Sequence, residues 1–234
     1  MTETERFLRA FHDARPGSTA RALERAGSYD RLAARCTGRV LELACGDGPL
    51  LARVPGAIGI DLSPGELALA RARGGQVVEG RAQALPFADG SFDTVACHLA
   101  FMLFDDVERV VAELRRVLAP GGRFVAVLGG GPTAEGHDAF HAFLARLPKG
   151  GRRFGDPRAK SETGWRQLFA GWSEPVFERW ELDLSGSFDE VWRFLGASYE
   201  LSAGVSEGIR AELAQLYGET APCKVVVFCA SVRR

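Results

Sequence analysis

The sequence predicts an α/β fold built on a parallel sheet, and three observations predict it. Five short apolar runs, at 40–43, 57–61, 76–80, 92–97 and 123–128, are separated by stretches that can serve as crossover connections. The first run ends in Ala44-Cys45-Gly46-Asp47-Gly48-Pro49, a small, glycine-broken segment suited to a tight strand-to-helix turn. The chain has 234 residues, enough for one large domain with a modest insertion, and a single core is expected.

Composition narrows the function. With 29 Lys and Arg against 30 Asp and Glu, the chain offers no nucleic-acid footprint. Basic residues cluster at 149–153 and 158–160, and a solvated loop is the simpler reading of both. The charged start Met-Thr-Glu-Thr-Glu-Arg-Phe does not read as a secretory signal, and no apolar run nears the roughly 18 residues of a membrane span. Five cysteines without a Cys-x-x-Cys spacing fit reduced thiols. The expected setting is cytoplasmic, with neither membrane nor nucleic acid as partner.

Ligand binding is expected at the turn after the first strand. Val40-Leu41-Glu42-Leu43 suits a strand buried on both faces, and Gly46 and Gly48 let a ligand approach the main chain. Dinucleotides and S-adenosylmethionine both use such a turn. A pyrophosphate would meet Glu42 and Asp47, two carboxylates that repel it, and Leu51 stands where the dinucleotide fingerprint has its third glycine. S-adenosylmethionine has no phosphate; its ammonium, sulfonium and ribose diol can each be served by a carboxylate. Asp61 ends the second strand at the usual offset for a ribose-binding acid, and Ser63-Pro64-Gly65-Glu66 starts a capped helix.

Residues 40–73, with Glu42-x-Ala44-x-Gly46-x-Gly48, resemble motif I and the following acidic loop of class I S-adenosylmethionine-dependent methyltransferases, Ala44 departing by one methyl group. Arg81-Ala82-Gln83-Ala84-Leu85-Pro86-Phe87, followed by Ser91-Phe92-Asp93, is similar to the signature of the ubiquinone-biosynthesis-type members. The resemblance implies a three-layer Rossmann-like sandwich with a mostly parallel seven-stranded sheet. Its last strand, 224–232, would insert antiparallel between the fifth strand and the sixth, 176–184. The resemblance also implies S-adenosyl-L-methionine as cofactor, held by Glu42, Ala44, Gly46, Asp47, Gly48, Asp61, Leu62, Ala82, Gln83, Ala84, Cys97 and His98. Arg81 stands where such proteins usually have an Asp that accepts from the adenine amino group. A guanidinium has no acceptor, so that contact is lost or passes to Gln83 or a backbone carbonyl.

The other elements follow in order. Residues 4–36 read as helical with a break at 15–18, and His12 and Tyr29 are candidate pocket residues as well as candidates for plain packing. His98, at the carboxyl end of the fourth strand, is the one candidate catalytic residue, a general base, the simpler reading being a pocket-lining His. An amphipathic helix is expected at 105–118, a turn at 119–122, and a strand break at Gly129-Gly130-Gly131-Pro132. His137 and His141 would share a helix face, but the Glu and third ligand of a zinc site are missing, so no metal is expected. A mobile loop is expected over 150–160 and a helix over 163–171.

Residues 185–222 hold two more helices, at 187–195 and 206–217, and this insertion resembles the helical lid of small-molecule members of the family. Phe188, Trp192 and Tyr199 are its candidate pocket residues. The domain reading is one unit over 1–234, with a helical cap at 1–36, a cofactor-binding core at 37–131 and a lid at 185–222. The expected function is methyl transfer to a small organic acceptor by in-line displacement, in which the protein chiefly aligns and dehydrates the reactants. The alternative is a non-catalytic S-adenosylmethionine-binding regulatory or orphan subunit. A nicotinamide oxidoreductase is disfavoured by the acids at the turn.

Overall fold

The computed structural model describes residues 1–150, 154–198, 201 and 203–234; the candidate Tyr199 lies outside them. Three helices open the chain: α1 (Glu3–Ala14), α2 (Ala20–Arg25) and α3 (Ser28–Ala33). Then come β1 (Val40–Leu43), β2 (Ile58–Asp61), α4 (Pro64–Ala72), β3 (Gln76–Glu79), β4 (Phe92–His98), α5 (Val107–Val117) and β5 (Leu118–Pro132). The remainder is α6 (Ala139–Leu144), α7 (Glu162–Leu168), β6 (Val176–Asp183), β7 (Gly186–Ser187), α8 (Phe188–Ser198), α9 (Ala203–Tyr217), β8 (Thr220–Ala221) and β9 (Lys224–Arg233). Among the described residues, no helix is long and apolar enough to cross a membrane.

Seven strands form one sheet in the order β3-β2-β1-β4-β5-β9-β6, and β7 pairs with β8 apart from it. Neighbours from β3 to β5 run parallel, whereas β9 lies antiparallel to both β5 and β6, as the resemblance implied. Strand order reverses at β1, which is flanked by β2 and β4, so the crevice outside its carboxyl end is the place where a sheet of this kind binds ligands.

Period-two alternation sends the side chains of β5 to opposite faces. Val125 and Val127 join a core with α2, α3, α6, α8 and α9, while Phe124, Ala126 and Leu128 join one with α5 and α7. The latter core is rich in rings, with Trp165 stacked on Phe124 at 5.6 Å and its indole N–H donating to the Ala159 carbonyl at 2.9 Å. On α5, buried Val107, Val110, Val111, Leu114 and Val117 repeat at helical spacing, matching the amphipathic helix expected there.

The structure departs from the sequence reading at three places. The segment after Gly48 is a single irregular turn, with Ala52 N–H donating to Gly48 O and Val54 N–H to Leu50 O, because Pro55 and Gly56 cut it off before a helix can propagate. β5 spans both expected interruptions. Its pairing with β4 is irregular between Leu118 and Arg123, where Gly121 takes a left-handed φ of 76°, so the turn expected at 119–122 is kept as a bulge. Pairing with β9, in contrast, continues to Pro132 through a register shift between Gly129 and Gly131. Finally, Asp138 is the N-cap of α6, its side chain accepting from His141 N–H at 3.0 Å. His137 therefore precedes the helix, and the two histidines do not share a helical face.

Gly59 sits in β2 where a Cβ would lie 2.6 Å from Cys45 Sγ and 2.8 Å from Leu51 Cδ1. Gly59→Ala is expected to destabilise the fold by about 2 kcal/mol through overpacking, read from the midpoint of urea unfolding. An unchanged midpoint would contradict this packing.

Candidate active site

The site begins where β1 ends. Ala44 and Gly46 take left-handed backbone conformations, with φ of 51° and 52°, and they turn the chain sharply under the sheet edge. For Ala44, whose Cβ meets the following carbonyl, this costs about 1–2 kcal/mol. Two hydrogen bonds brace the turn against the neighbouring strand: Gly46 N–H donates to Asp61 Oδ2 at 2.9 Å, and Ser63 N–H donates to Asp61 Oδ1 at 2.8 Å. A Cβ on Gly46 would have only Glu66 Oε2 within 4 Å, at 3.9 Å, so this side of the loop is open to a ligand. Gly48 is different: a Cβ there would press on Ala70 of α4 at 3.1 Å, which makes it a packing glycine.

Carboxylates dominate the electrostatics. Glu42 is 1 % exposed, and its Oε2 has no hydrogen-bond partner. Burial, then the fields of Asp61 and Asp47, pushes its pKa well above the usual carboxylate range. Burial also raises Asp61, against which its backbone hydrogen bonds work. Asp47 is raised by burial and pairs with Arg73. Glu66 accepts from Gly17 N–H at 3.0 Å and meets His12 Nδ1 at 3.2 Å. Burial disfavours the imidazolium of His12, but Glu66, Asp61 and Asp13 outweigh it and raise the pKa.

Two adjoining cavities open on these groups, sharing His12, Ala44, Asp61, Ala100 and Leu103 in their walls. The first is a slot between α1 and the ends of β2 and β3, walled by Leu8, Leu62, Ala82 and Phe104 and rimmed by Glu5, Gln83 and Asp105. The second is a chamber of about 280 Å³ that exposes Glu42, Gly46, Asp47 and Glu66 on one side. Leu23, Tyr29, His98, Met102 and Phe194 form its other walls. The slot joins apolar walls to a polar rim, the character a nucleoside requires, and the acidic side of the chamber carries the charge that suits a cation. The unpartnered Glu42 oxygen and the open face of Gly46 are what a ligand with an ammonium would satisfy.

His98 ends β4 and is buried, its Nε2 in contact with the Ser28 hydroxyl and its ring stacked on Tyr29 at 4.0 Å. Burial lowers its pKa to about 3, so the imidazole is neutral at physiological pH. A base with so acidic a conjugate acid takes up protons weakly near neutrality.

The cavities thus gather Glu42, Ala44, Gly46, Asp47, Asp61, Leu62, Ala82, Gln83 and His98. Three of the residues named from the sequence line neither cavity. Gly48 packs on α4, Ala84 is exposed and bridged to Arg81, and Cys97 is fully buried in the core beneath β4, where burial pushes its thiol up to about 12. His12 and Tyr29 line cavities, whereas of the lid candidates Phe188 joins the core and Trp192 packs on Phe143. Phe194, Ala197 and Ser198 of α8 reach the chamber instead. Sequence reasoning missed Glu5; the Thr2-x-x-Glu5 capping box was a visible signal for a helix start but not for a pocket.

The methyltransferase domain family matches residues 41–126. Demethylmenaquinone methyltransferase of Thermus thermophilus is 48% identical over 101 residues, 38% of this chain and 46% of that protein. The chain spans about half or less of the length of the first curated relatives it matches. Among solved structures, the YcgJ protein of Bacillus subtilis superposes with a TM-score of 0.57 at 21% identity, covering 88% of this chain and 97% of that one. Geranyl diphosphate C-methyltransferase from Streptomyces coelicolor, in complex with geranyl diphosphate and S-adenosyl-L-homocysteine, gives 0.58 at 13% identity, over 100% of this chain and 98% of the other. These structural likenesses bear out the Rossmann-like fold.

Because folding favours the acid form of Glu42, the stability of the ligand-free protein falls as pH rises from its ordinary 4.5 through the raised value. Glu42→Gln is expected to melt higher than the parent at pH 7.5, with the gap closing toward pH 4.5, in calorimetric scans. His98 acts with the opposite sign: folding favours its neutral form, so stability is lost as pH falls from 6.5 toward about 3. A gap between Glu42→Gln and the parent that did not change with pH would refute the buried-acid account.

Proposed function

We propose that this chain, whose residues 41–126 carry a class I S-adenosylmethionine-dependent methyltransferase domain of the ubiquinone and menaquinone type, methylates a small organic acceptor. The observation that carries this reading is the buried carboxylate of Glu42, with one oxygen unpartnered, in the lining of a chamber beside the open glycine turn. When bound, S-adenosyl-L-methionine supplies a methyl group already made electrophilic by its sulfonium. Glu42 holds the ammonium of the methionine portion, and Asp61, with acceptor capacity left beyond Gly46 and Ser63, takes the ribose hydroxyls. Leu62, Ala82 and Gln83 wall the base in the slot.

The acceptor enters the chamber between α3, α8 and the segment after β4, where Leu23, Tyr29, Met102 and Phe194 exclude water. His98 lines this chamber as a neutral imidazole. Held by Ser28 and Tyr29, it orients the acceptor rather than taking its proton from bulk-like equilibrium at pH 7. An acceptor that is a good nucleophile needs no stronger base.

Asp61→Ala is expected to weaken binding of S-adenosyl-L-homocysteine at least about tenfold by titration calorimetry, because charge-assisted hydrogen bonds are lost and the turn loosens. Parent-like affinity would remove the ribose assignment. Incubating the protein with radiolabelled cofactor and fractionated metabolite extract tests the activity itself: a labelled product is expected. Cofactor binding without any labelled product would favour the non-catalytic alternative. With an acceptor in hand, the parent's turnover between pH 6 and 8 is expected to lack an inflection near 6.5, and one that vanished in His98→Asn would restore His98 as a base.

A further inference from the structure

We propose that Glu5, on the N-terminal helix, is a specificity residue of the nucleoside slot that reads the exocyclic amino group of the base. The assignment rests on the cofactor reading given above. It starts from an oddity of α1: the one fully buried residue of this helix is a glutamate, 4 % exposed. Buried carboxylates are rare unless paired, and Glu5 is paired with Arg81, whose Nε and Nη2 approach Oε1 at 2.9 and 2.8 Å. Its other oxygen, Oε2, accepts from Thr2 N–H at 2.7 Å. An ionised carboxylate offers about four acceptor positions. Three are accounted for, and the fourth is on Oε2, which the N-terminal ammonium of Met1 faces at 3.9 Å, beyond hydrogen-bond reach, in a residue that lines the slot beside Ala82 and Gln83.

The neighbouring polar groups define what that position accepts. The amide nitrogen of Gln83 is committed to the Asp105 carbonyl at 2.8 Å, and Asp105 Oδ2 takes the Thr2 hydroxyl at 2.7 Å. Glu5 and Asp105 thus leave acceptors on the slot rim. Such a rim favours a base that presents an N–H donor there and repels one that presents an oxo group. Arg81, which itself cannot accept, contributes by fixing the carboxylate. The seat of α1 is otherwise polar as well: Arg9 reaches Glu79 at 3.1 Å, and Asp13 accepts from Ser63 Oγ at 2.6 Å and from Gly65 N–H at 3.0 Å.

The test compares two ligands by titration calorimetry: S-adenosyl-L-homocysteine and S-inosylhomocysteine, which carries an oxo group in place of the amino group. The parent is expected to prefer the adenosyl ligand. Glu5→Gln, which keeps the capping box, is expected to narrow that preference about tenfold. Asp105→Asn should leave the preference closer to the parent. A preference unchanged in Glu5→Gln, or one erased by Asp105→Asn instead, overturns the assignment. If the parent binds neither ligand, the methyltransferase reading falls and takes this one with it. A parent that discriminates, with a Glu5→Gln protein that discriminates equally, sinks only the role of Glu5.

Discussion

The bifurcated grip of the Asp61 carboxylate is the constraint on which the site depends. One oxygen takes the Gly46 N–H from the turn after β1, and the other takes the Ser63 N–H from the start of α4. Two loops leaving adjacent parallel strands are thereby fixed to each other at the point where strand order reverses. The left-handed conformation of Ala44 is held by this bracing and by Cys45 N–H donating to Ile60 O at 3.1 Å. Because the backbone satisfies Asp61 in part, the acid stays in place with or without a ligand. Glu42, one strand away, lacks such donors.

Around this fixed centre the walls differ in kind. The chamber is closed by helices whose apolar faces continue the main core, with Leu23, Tyr29 and Phe194 belonging to both. The slot is closed by α1, which is tied down by ion pairs and caps. Apolar burial is not screened by salt, whereas partly exposed ion pairs are individually worth under about 1 kcal/mol and weaken as ionic strength rises. α1 is therefore the wall with the least resistance to lifting.

How much of this was legible in the sequence depends on whether the signal was local. β1 to β4 could be read from apolar runs, and Asp61 from its offset, because a parallel strand and its turn carry their own pattern. The continuous β5 could not: Gly129-Gly130-Gly131 is a breaker by local chemistry, and pairing with β9, about a hundred residues on, carries the strand through it. The same holds for the site. Glu42 and Gly46 were visible in one motif, while Gly48 was assigned to the ligand although the residue it serves is Ala70 of α4. Glu5 lies seventy-six residues from Arg81, and nothing in either neighbourhood announces the pair.

The isolation of Glu42 reaches beyond the pocket. A buried carboxyl whose charged form folding disfavours, and which has an unpartnered oxygen, makes the unloaded protein less secure than the loaded one. Ligand binding then adds to the cohesion of the whole fold in proportion to the logarithm of its concentration. Inside a cell, the survival of this chain against proteases would follow the supply of whatever fills the chamber, so that scarcity of that ligand thins out the protein.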